Sequence, residues 1–448
     1  MSEDTILTQQ MLEKFSSDFH KRPNCQVLKN AIIKNGIKNV TLNNNAVINL
    51  QKTFSEEITT GKITAQEHSG RCWLFAGMNV LRQRVAKNIN IESFELSQNY
   101  PMFWDKLEKA NFFLDNIIET IDEDIYSRTV MWLLTAPCQD GGQWDMFSNL
   151  VEKYGVVPKY VMPESHHSAN SKVMNDLLTL KLRESASILR KAYQNGESLE
   201  TVQNRKTGML SEIYRMLSYF LGEPPKTFNF EYRDKDKIFH QDISITPTGF
   251  FDKYVKLNLD DYVSIINAPT DDKPFNKTYT VQYLGNVRGG KDILYLNVVS
   301  ETLKHLAVSQ LKDREVVWFG CDVGKMMERD VGILDREAFL YEEAFDMKFD
   351  LDKAGRLDYG ESKLTHAMVF TGVNLIKGKP NRWKVENSWG EKAGQEGFLI
   401  MNDNWFDEYN FQVVINKKYL SADLKAALKQ KPIVLPPWDP MGSLAGVR

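Results

Sequence analysis

One cysteine of this 448-residue chain stands in a setting suited to a nucleophile. Cys72 follows Ser69-Gly70-Arg71 and precedes Trp73, where apolar residues begin to recur with helical spacing. A helix N-terminus offers unpaired N–H groups and a positive dipole end, which lower the pKa of a thiol from about 8.5. Gln66 can donate an amide N–H to a developing oxyanion, beside the N–H of Cys72. The stretch therefore predicts a reactive thiolate with an oxyanion site next to it.

A cysteine nucleophile also needs an imidazole that carries the proton and a group that orients this imidazole. His366 begins the strand-like segment HAMVFTGV, and Asn387 lies 21 residues further on, where the next strand-like segment ends. If the two strands are adjacent and antiparallel, the Asn387 amide oxygen can accept from one ring nitrogen and fix the tautomer that faces the thiol. Trp389 would shield this hydrogen bond from water.

Helical patterns dominate the first half of the chain and strand patterns the second. The apolar residues Leu74, Met78, Leu81 and Val85 predict a core helix of about four turns that begins at Cys72. Other helices are predicted within 5–35 and over 95–109, 110–134, 146–154 and, as a charged hairpin, 168–221. Strands are predicted over 228–233, 279–287, 293–299, 316–323, 366–376, 381–389, 397–402 and 411–416.

The composition is that of an ordinary globular enzyme. Hydrophobic residues make up 42% of the chain, charged residues 26%, and the net charge is −3, which gives no electrostatic reason to expect a nucleic acid or an anionic membrane as a partner. No apolar run approaches the ~20 residues that span a bilayer, and the acidic N-terminus makes a secretory signal unexpected. The four cysteines are scattered without a CxxC motif, which favours a reducing, cytoplasmic setting over a disulfide scaffold.

The order of these motifs resembles that of the papain-like cysteine peptidases. The resemblance rests on Gln66, Cys72-Trp73, His366 and Asn387-Ser388-Trp389-Gly390, which occur in this sequence in the family's order. It implies an α+β, papain-like fold, with a helical subdomain and an antiparallel, β-barrel-like subdomain. It also implies that Cys72 is the nucleophile, His366 the general acid and base, Asn387 the orienting residue and Gln66 the oxyanion donor.

The same resemblance suggests residues that bind the substrate. The turn Asp140-Gly141-Gly142 resembles the segment whose backbone pairs with an extended substrate in this family. Trp389 and, at the other end of the chain, Ala445 complete the expected substrate-binding set. For Asp140 a solvated turn aspartate is an equally good interpretation, and for the two glycines the simpler one is a tight turn.

Two departures from the secreted members of the family point to one branch of it. Ser69 stands where those members carry a disulfide cysteine, and Gln139 stands where its partner would be. His366 follows Cys72 by 294 residues, whereas about 130–150 are usual. Together with the C-terminal Trp438-Asp439-Pro440-Met441-Gly442, these features resemble the bleomycin hydrolases, which include the bacterial aminopeptidase C enzymes.

That branch implies a cytoplasmic aminopeptidase that assembles as a homohexamer and needs no metal or organic cofactor. It also implies that the C-terminal arm lies in the active-site cleft, where its carboxylate holds the α-ammonium of the substrate. Gly446-Val447-Arg448 extend beyond the usual end of this pattern. The expected organisation is an N-terminal segment (1–65), a helical subdomain with the nucleophile (66–167), a helical and β insertion (168–310), a β subdomain with His366 and Asn387 (311–430), and the arm (431–448).

The sequence leaves three alternative functions open. An endopeptidase on the same core would result if the tail did not block the cleft. A non-catalytic or nucleic-acid-associated homo-oligomer is the alternative from another class, and an acyl transferase is a third. His166-His167 suggest a surface loop, since no neighbouring Cys, Asp or Glu completes a metal-binding pattern. Cys25, Cys138 and Cys321 are expected to be inert packing thiols.

Overall fold

The computed structural model of the chain describes residues 6–445. In this range the α-helices are α1 (Gln9–Lys21), α2 (Cys25–Asn35), α3 (Ile37–Thr41), α4 (Asn44–Ile48), α5 (Cys72–Asn88), α6 (Asn99–Glu119), α7 (Arg128–Thr135), α8 (Trp144–Tyr154), α9 (His166–Ala169), α10 (Lys172–Gln194), α11 (Leu199–Leu221), α12 (Pro247–Phe250), α13 (Ser300–Lys312), α14 (Tyr341–Phe345), α15 (Lys353–Asp358), α16 (Asp403–Tyr409) and α17 (Ala422–Ala427). A short π-helical turn covers Phe251–Val255, and 3₁₀ turns cover Leu259–Asp261, Lys417–Tyr419 and Pro440–Ala445.

The strands form one large sheet and one separate hairpin. They are β1 (Glu56–Glu57), β2 (Phe228–Arg233), β3 (Phe239–Ile245), β4 (Tyr262–Ile266), β5 (Thr278–Val281), β6 (Tyr295–Asn297), β7 (Val317–Cys321), β8 (Met327–Glu328), β9 (Ile333–Leu334), β10 (His366–Ile376), β11 (Lys379–Glu386), β12 (Phe398–Asn402), β13 (Asn410–Asn416) and β14 (Ile433–Leu435). The large sheet runs β14-β5-β6-β4-β13-β7-β10-β11-β12-β9-β8, with β1 also paired to β10, and β2 pairs with β3.

The centre of the large sheet is antiparallel and buried. Strand β10 pairs antiparallel with β7 on one side and with β11 on the other. The first eight residues of β10 are buried, as is the whole of β7. Apolar side chains on both faces explain this, because a strand buried on both faces is apolar along its length rather than at alternate positions. The paired strands carry His366 and the approach to Asn387, so the sheet is the rigid part of the site.

Helix α5 joins the helical part of the molecule to this sheet. Its first eleven residues are all buried, and Trp73 and Trp318 of β7 are among the largest fully buried side chains. The Trp318 indole donates to the Trp73 carbonyl at 3.3 Å. Burial of a large apolar side chain contributes roughly 1.5–3 kcal/mol, so the start of α5 is held firmly against the sheet. The predicted α+β, papain-like architecture is confirmed.

The predicted helices are mostly correct, with one wrong division. The helix from Cys72 and the charged hairpin are present as α5, α10 and α11, and α8 ends at Gly155 with a φ of +71°. The separate helices expected over 95–109 and 110–134 are instead one helix, α6, followed by a turn and the short α7. The apolar face of α6 continues through Phe113 and Ile117, and the break comes only at Thr120, before the Ser127 cap of α7.

Several elements had no clear signal in the sequence. Strands β3 and β4 and helix α13 were not predicted, and the strands from the predicted insertion, β4 to β6, belong to the same sheet as β10. Among residues 6–445, no helix is both long and apolar enough to cross a membrane.

Candidate active site

The predicted nucleophile is the first residue of a buried helix. Cys72 begins α5, follows the Arg71 cap, and is fully buried. The Phe75 N–H donates to the Arg71 carbonyl at 3.0 Å and closes the first turn of the helix. The Cys72 sulfur therefore lies at the positive end of a helix of 17 residues, an environment that favours a thiolate.

The predicted imidazole and its orienting amide are in contact. His366 Nε2 lies 2.9 Å from Asn387 Oδ1, and both residues are buried. Asn387 Oδ1 also accepts from the Ser388 N–H at 2.8 Å, which identifies this atom as the amide oxygen. His366 Nε2 must then carry the proton, and Nδ1 is left as the ring nitrogen that can exchange a proton with a thiol.

Ser388 links this pair to the predicted oxyanion donor. Its hydroxyl donates to Gln66 Oε1 at 2.8 Å, and its carbonyl accepts from the Gln66 N–H at 2.8 Å. Gln66 Nε2 in turn donates to the Ser69 carbonyl at 2.7 Å. One N–H of the Gln66 amide is thus used to fix its orientation, and the other is left for an oxyanion.

The loop that carries Gln66 and Cys72 is fixed by a buried arginine. Arg71 Nε donates to Ser69 Oγ at 2.9 Å, and Arg71 Nη2 donates to Glu164 Oε2 at 2.8 Å. Ser69 Oγ donates to the Gln66 carbonyl at 2.6 Å. Ser69, at the position of a disulfide cysteine in secreted relatives, is therefore a hydrogen-bonding centre of this loop. Cys72 is one of four cysteines without a disulfide among the described residues.

Asp140 ties this loop to the facing segment. Its Oδ1 pairs with Lys106 Nζ at 2.7 Å and accepts from Asn175 at 2.8 Å, and its Oδ2 accepts from the Gly70 N–H at 2.9 Å and from the Ser171 hydroxyl at 2.5 Å. Burial by itself would raise the pKa of Asp140. The Lys106 ammonium and the other donors outweigh burial and hold the pKa of this carboxyl well below its usual range. A solvated turn aspartate is therefore the wrong interpretation.

The segment 138–142, called the Gly-Gly wall below, is held by side-chain donors along its length. Lys106 donates to the carbonyl of Cys138, Lys109 to those of Gln139 and Gly141, and the Trp73 indole to that of Asp140, at 3.3, 2.8, 2.6 and 2.6 Å respectively. Four consecutive carbonyls thus point toward α5 and α6. In the part of the chain that the structure describes, the backbone groups of Gly142 form no hydrogen bond.

A glycine is required at position 142 because the backbone there lies close to the ring of Trp73, the residue after the predicted nucleophile. A Cβ at this position would lie 2.5–2.7 Å from the Trp73 ring, closer than any side chain can be accommodated without a shift. At Gly70 a Cβ would meet Asp140 Cβ at 2.8 Å. Both glycines therefore serve the packing of the Cys72 loop against the Gly-Gly wall, in addition to any contact with a substrate.

Trp389 covers the imidazole. Its ring centroid lies 5.0 Å from that of His366, at an interplanar angle of 40°, and the Arg329 guanidinium lies 4.8 Å from the indole. This position fits the expected role of excluding water from the His366–Asn387 hydrogen bond.

The C-terminal arm contacts both sides of this site. Gln143, directly after the Gly-Gly wall, and the Tyr295 hydroxyl donate to the Met441 carbonyl at 3.3 and 3.1 Å. The Ser443 hydroxyl donates to the carbonyl of Leu364, two residues before His366, at 2.8 Å. Ala445 is the last residue of the closing 3₁₀ turn, and the predicted extension Gly446–Arg448 lies outside the described residues.

The remaining chemical residues do not join this arrangement. Cys321 is the cross-strand neighbour of His366, and burial raises the pKa of both Cys321 and Cys138, as expected of packing thiols. The pair predicted as a surface loop, His166-His167, lies in the short helix α9. Among residues 6–445, no group of three or more His, Cys, Asp and Glu could hold a metal ion.

Sequence reasoning missed the residues that support the site. Lys106 and Lys109 are spaced as neighbours on one face of α6. The apolar residues on the same face could have suggested that the two lysines are buried: Phe103, Ala110 and Phe113. The bridging role of Ser388 and the arm contacts of Gln143 and Ser443 are tertiary and had no such signal.

Comparison with known proteins agrees with this geometry. Residues 6–442 match the family described as Peptidase C1-like. The chain belongs to this family. Aminopeptidase C of Listeria monocytogenes is 53% identical over 98% of this chain and 99% of its own length, and Aminopeptidase C of Lactobacillus delbrueckii subsp. lactis is 47% identical over 97% of each. The crystal structure of PepW from Lactobacillus rhamnosis superimposes with a TM-score of 0.97 at 50% identity, over 98% of this chain and 99% of that one.

These similarities decide two of the predictions made from the motifs. The family predicted for the chain is confirmed. The enzyme class predicted for it, a cysteine-type aminopeptidase, is confirmed as well.

Proposed function

We propose that this chain removes N-terminal residues from peptides by a thiol mechanism with Cys72, His366 and Asn387. The Cys72 thiolate attacks the carbonyl carbon after the first residue. The Cys72 N–H and the Gln66 amide donate to the resulting oxyanion, an interaction that is typically worth about 2.7–4 kcal/mol per donor. His366 then protonates the leaving amine, and a water molecule that it deprotonates releases the acyl group from the sulfur.

The His366–Asn387 hydrogen bond at 2.9 Å is the observation that supports this chemistry most directly. It fixes the imidazole with its proton on Nε2, so that Nδ1 can receive the thiol proton and return it to the amine. The burial of both residues strengthens the hydrogen bond, because the local dielectric constant is low.

The path of the arm supports removal of single residues rather than internal cleavage. Met441 and Leu444 are fully buried, and the arm contacts Gln143 on one side and Leu364 on the other. We propose that a segment in this position takes up the space that residues before the scissile bond would need. Only a substrate whose chain begins close to Cys72 can then bind, and an endopeptidase on the same core would need the arm displaced.

Substrate binding is proposed for the Gly-Gly wall and its surroundings. The Gly142 backbone groups are suited to pair with an extended substrate, since the carbonyls before them are occupied by Lys106, Lys109 and Trp73. Trp389 would form the opposite side of the cleft and Ala445 its closed end. For Asp140 we propose an indirect contribution, because its carboxylate oxygens already accept from four donors.

Two measurements test the mechanism and the specificity. Cys72→Ala should lower kcat by at least about 10⁴-fold with unchanged thermal unfolding, and iodoacetamide should inactivate the enzyme while a chelator does not. N-acetylated peptides should be cleaved far more slowly than the same peptides with a free amino group. If the chelator inhibits the enzyme and alkylation leaves it active, the thiol mechanism is wrong. If blocked and free peptides are cleaved at equal rates, the proposal of an exopeptidase is wrong.

A homohexamer in the cytoplasm is the assembly and location that we propose. Helix α1 supports self-association: it contributes no buried residue, and Leu12 and Phe15 on its apolar face are 47% and 51% exposed. A second copy would cover this face. Light scattering after size exclusion should give six times the chain mass, and Leu12→Glu with Phe15→Glu should reduce it. The net charge of −3 gives no support for nucleic acid as a partner.

A further inference from the structure

The arm is attached to the rest of the protein by a buried ion pair. Lys273 Nζ lies 2.9 Å from Asp439 Oδ2, and the two side chains are 3% and 4% exposed. The second carboxylate oxygen, Asp439 Oδ1, accepts from the Met441 N–H at 2.9 Å. The same carboxylate that meets Lys273 therefore also shapes the turn whose Met441 carbonyl contacts Gln143 and Tyr295.

Lys273 is itself held in place by the loop between β4 and β5. Its N–H donates to the Thr270 carbonyl at 3.0 Å, and its carbonyl accepts from Asn297 Nδ2 at 2.6 Å. Asn297 also bonds to both backbone groups of Ala268. The ammonium therefore presents a fixed point to the arm rather than following it.

Two other contacts, both before Asp439 in the arm, leave its position along the cleft less well defined. Strand β14 adds in parallel to β5, with Ile433 opposite Tyr279, through backbone groups that every register would offer equally. Trp438 lies under the Arg128 guanidinium at 3.6 Å but is 37% exposed. Among these contacts only the Lys273–Asp439 pair combines charge, burial and a single geometry.

We infer that Lys273 is a positioning residue for the arm: by pairing with the buried carboxylate of Asp439 it keeps the arm docked in the cleft and thereby restricts the enzyme to free N-termini. This inference rests on the proposed function of the arm as a block in the cleft. An ion pair of this kind adds little net stability, but a single buried charge left without its partner is strongly unfavourable. The charge on Asp439 is tolerated only while Lys273 is present, so the loss of Lys273 should expel the arm.

The test compares three full-length variants by the ratio of turnover on an N-acetylated peptide to turnover on the same peptide with a free amino group. Lys273→Met leaves Asp439 buried and unpaired, and should raise this ratio by at least about tenfold. Asp439→Asn, the matched control, leaves no buried carboxylate unpaired: its amide oxygen can still accept from the Met441 N–H, while Lys273 keeps Asp272 as its partner at 2.8 Å. The ratio should therefore stay near that of the unmodified enzyme. The double variant has no unpaired charge and should return the ratio to that value.

General destabilisation cannot produce this pattern, because it lowers both turnovers together. Met441→Asp serves as the reference for arm displacement, since it places a charge on a side chain that is fully buried in the arm. If Met441→Asp raises the ratio and Lys273→Met does not, the role of the ion pair is wrong. If Met441→Asp also leaves the ratio unchanged, the proposed block by the arm is wrong instead.

Discussion

Two buried aspartate–lysine pairs flank the active site, and they differ in how completely the carboxylate is satisfied. Asp140 pairs with Lys106 at 2.7 Å and accepts three further hydrogen bonds, which come from the Cys72 loop and from the start of α10. Asp439 pairs with Lys273 at 2.9 Å, and within residues 6–445 its carboxylate accepts otherwise only from Met441, while the neighbouring Asp272 competes for the same lysine.

The pKa values of the two carboxyls move in opposite directions for this reason. Burial alone would raise both pKa values. The pKa of Asp140 is nevertheless lowered, because Lys106 and three other donors outweigh burial. For Asp439 burial dominates over Lys273, and the pKa is raised. Both carboxylates face a lysine, so the number of additional hydrogen-bond donors decides whether the pKa of such a carboxyl is lowered or raised. The Gly-Gly wall is thus a permanent part of the fold, and the arm is an attachment that one change can release.

The largest effect is expected from removing the two lysines in turn. Lys106→Met leaves Asp140 charged and largely buried without its cation, and should lower the free energy of unfolding by about 3–5 kcal/mol. Lys273→Met should lower it much less, because the arm can leave without unfolding the rest of the chain. Urea titration followed by tryptophan fluorescence measures both. Equal losses would show that the arm is as integral to the fold as the wall.

A smaller difference in stability is expected between substitutions of one glycine in the Gly-Gly wall and one glycine in the arm. Gly142→Ala places a Cβ 2.5–2.7 Å from the Trp73 ring, whereas Gly442→Ala places one 3.3–3.4 Å from the side chains of Val281 and Leu284. The first should cost about 1–3 kcal/mol by overpacking and reduce turnover on free and blocked peptides alike. The second should leave stability nearly unchanged. Melting temperatures and the two turnover rates provide the comparison, which fails if Gly442→Ala is the more damaging.

The smallest effect concerns pH and the Lys273→Met variant. The raised pKa of Asp439 means that the docked arm holds a proton more readily than the free arm. Docking is therefore fully favoured below the ordinary pKa of about 3.9 and weakens as the pH rises through the raised value. In Lys273→Met, lowering the pH from 8 should return the ratio of blocked to free turnover toward that of the unmodified enzyme.

Since both substrates depend on the same Cys72 and His366, titration of these groups cancels in that ratio. The α-amino group of the free peptide titrates at about pH 8 in every variant, so the variant that also carries Asp439→Asn supplies the reference pH profile, and Lys273→Met should show an additional pH dependence. A ratio that rises on acidification would contradict the assigned role of Asp439. For Asp140, with its lowered pKa, the sign is opposite: its stabilisation is present above the ordinary pKa and is lost as the pH falls.

The sequence could suggest candidate catalytic residues because their signals are local. Cys72 with Gln66 upstream, and Asn387 within its Asn-Ser-Trp-Gly motif, are short patterns that depend little on distant packing. Lys106 could not be predicted as a buried cation, since a lysine in a helical pattern normally faces solvent, and only the tertiary fold shows it fully buried. Asp140 was ambiguous for the same reason, because its four donors come from separate parts of the chain.

The fold was predictable to a similar degree. Helices with a strong apolar period, such as α5, were found, whereas the division of 95–134 failed because the turn after Thr120 contains neither glycine nor proline. Short buried strands such as β4 have no alternation of polar and apolar residues, so they cannot be told from other apolar runs. The contacts of the arm with Gln143 and Leu364 are between distant residues and needed the structure.

In the proposed mechanism, the bridge made by Ser388 means that acid catalysis and oxyanion binding cannot be adjusted separately. Its amide holds Asn387, and its hydroxyl and carbonyl hold Gln66, so a shift of one residue moves the other. Kinetic losses caused by substitutions at these two positions should therefore be non-additive, with the double substitution costing less than the sum of the single ones. For redesign, the two functions form one unit that must be exchanged together.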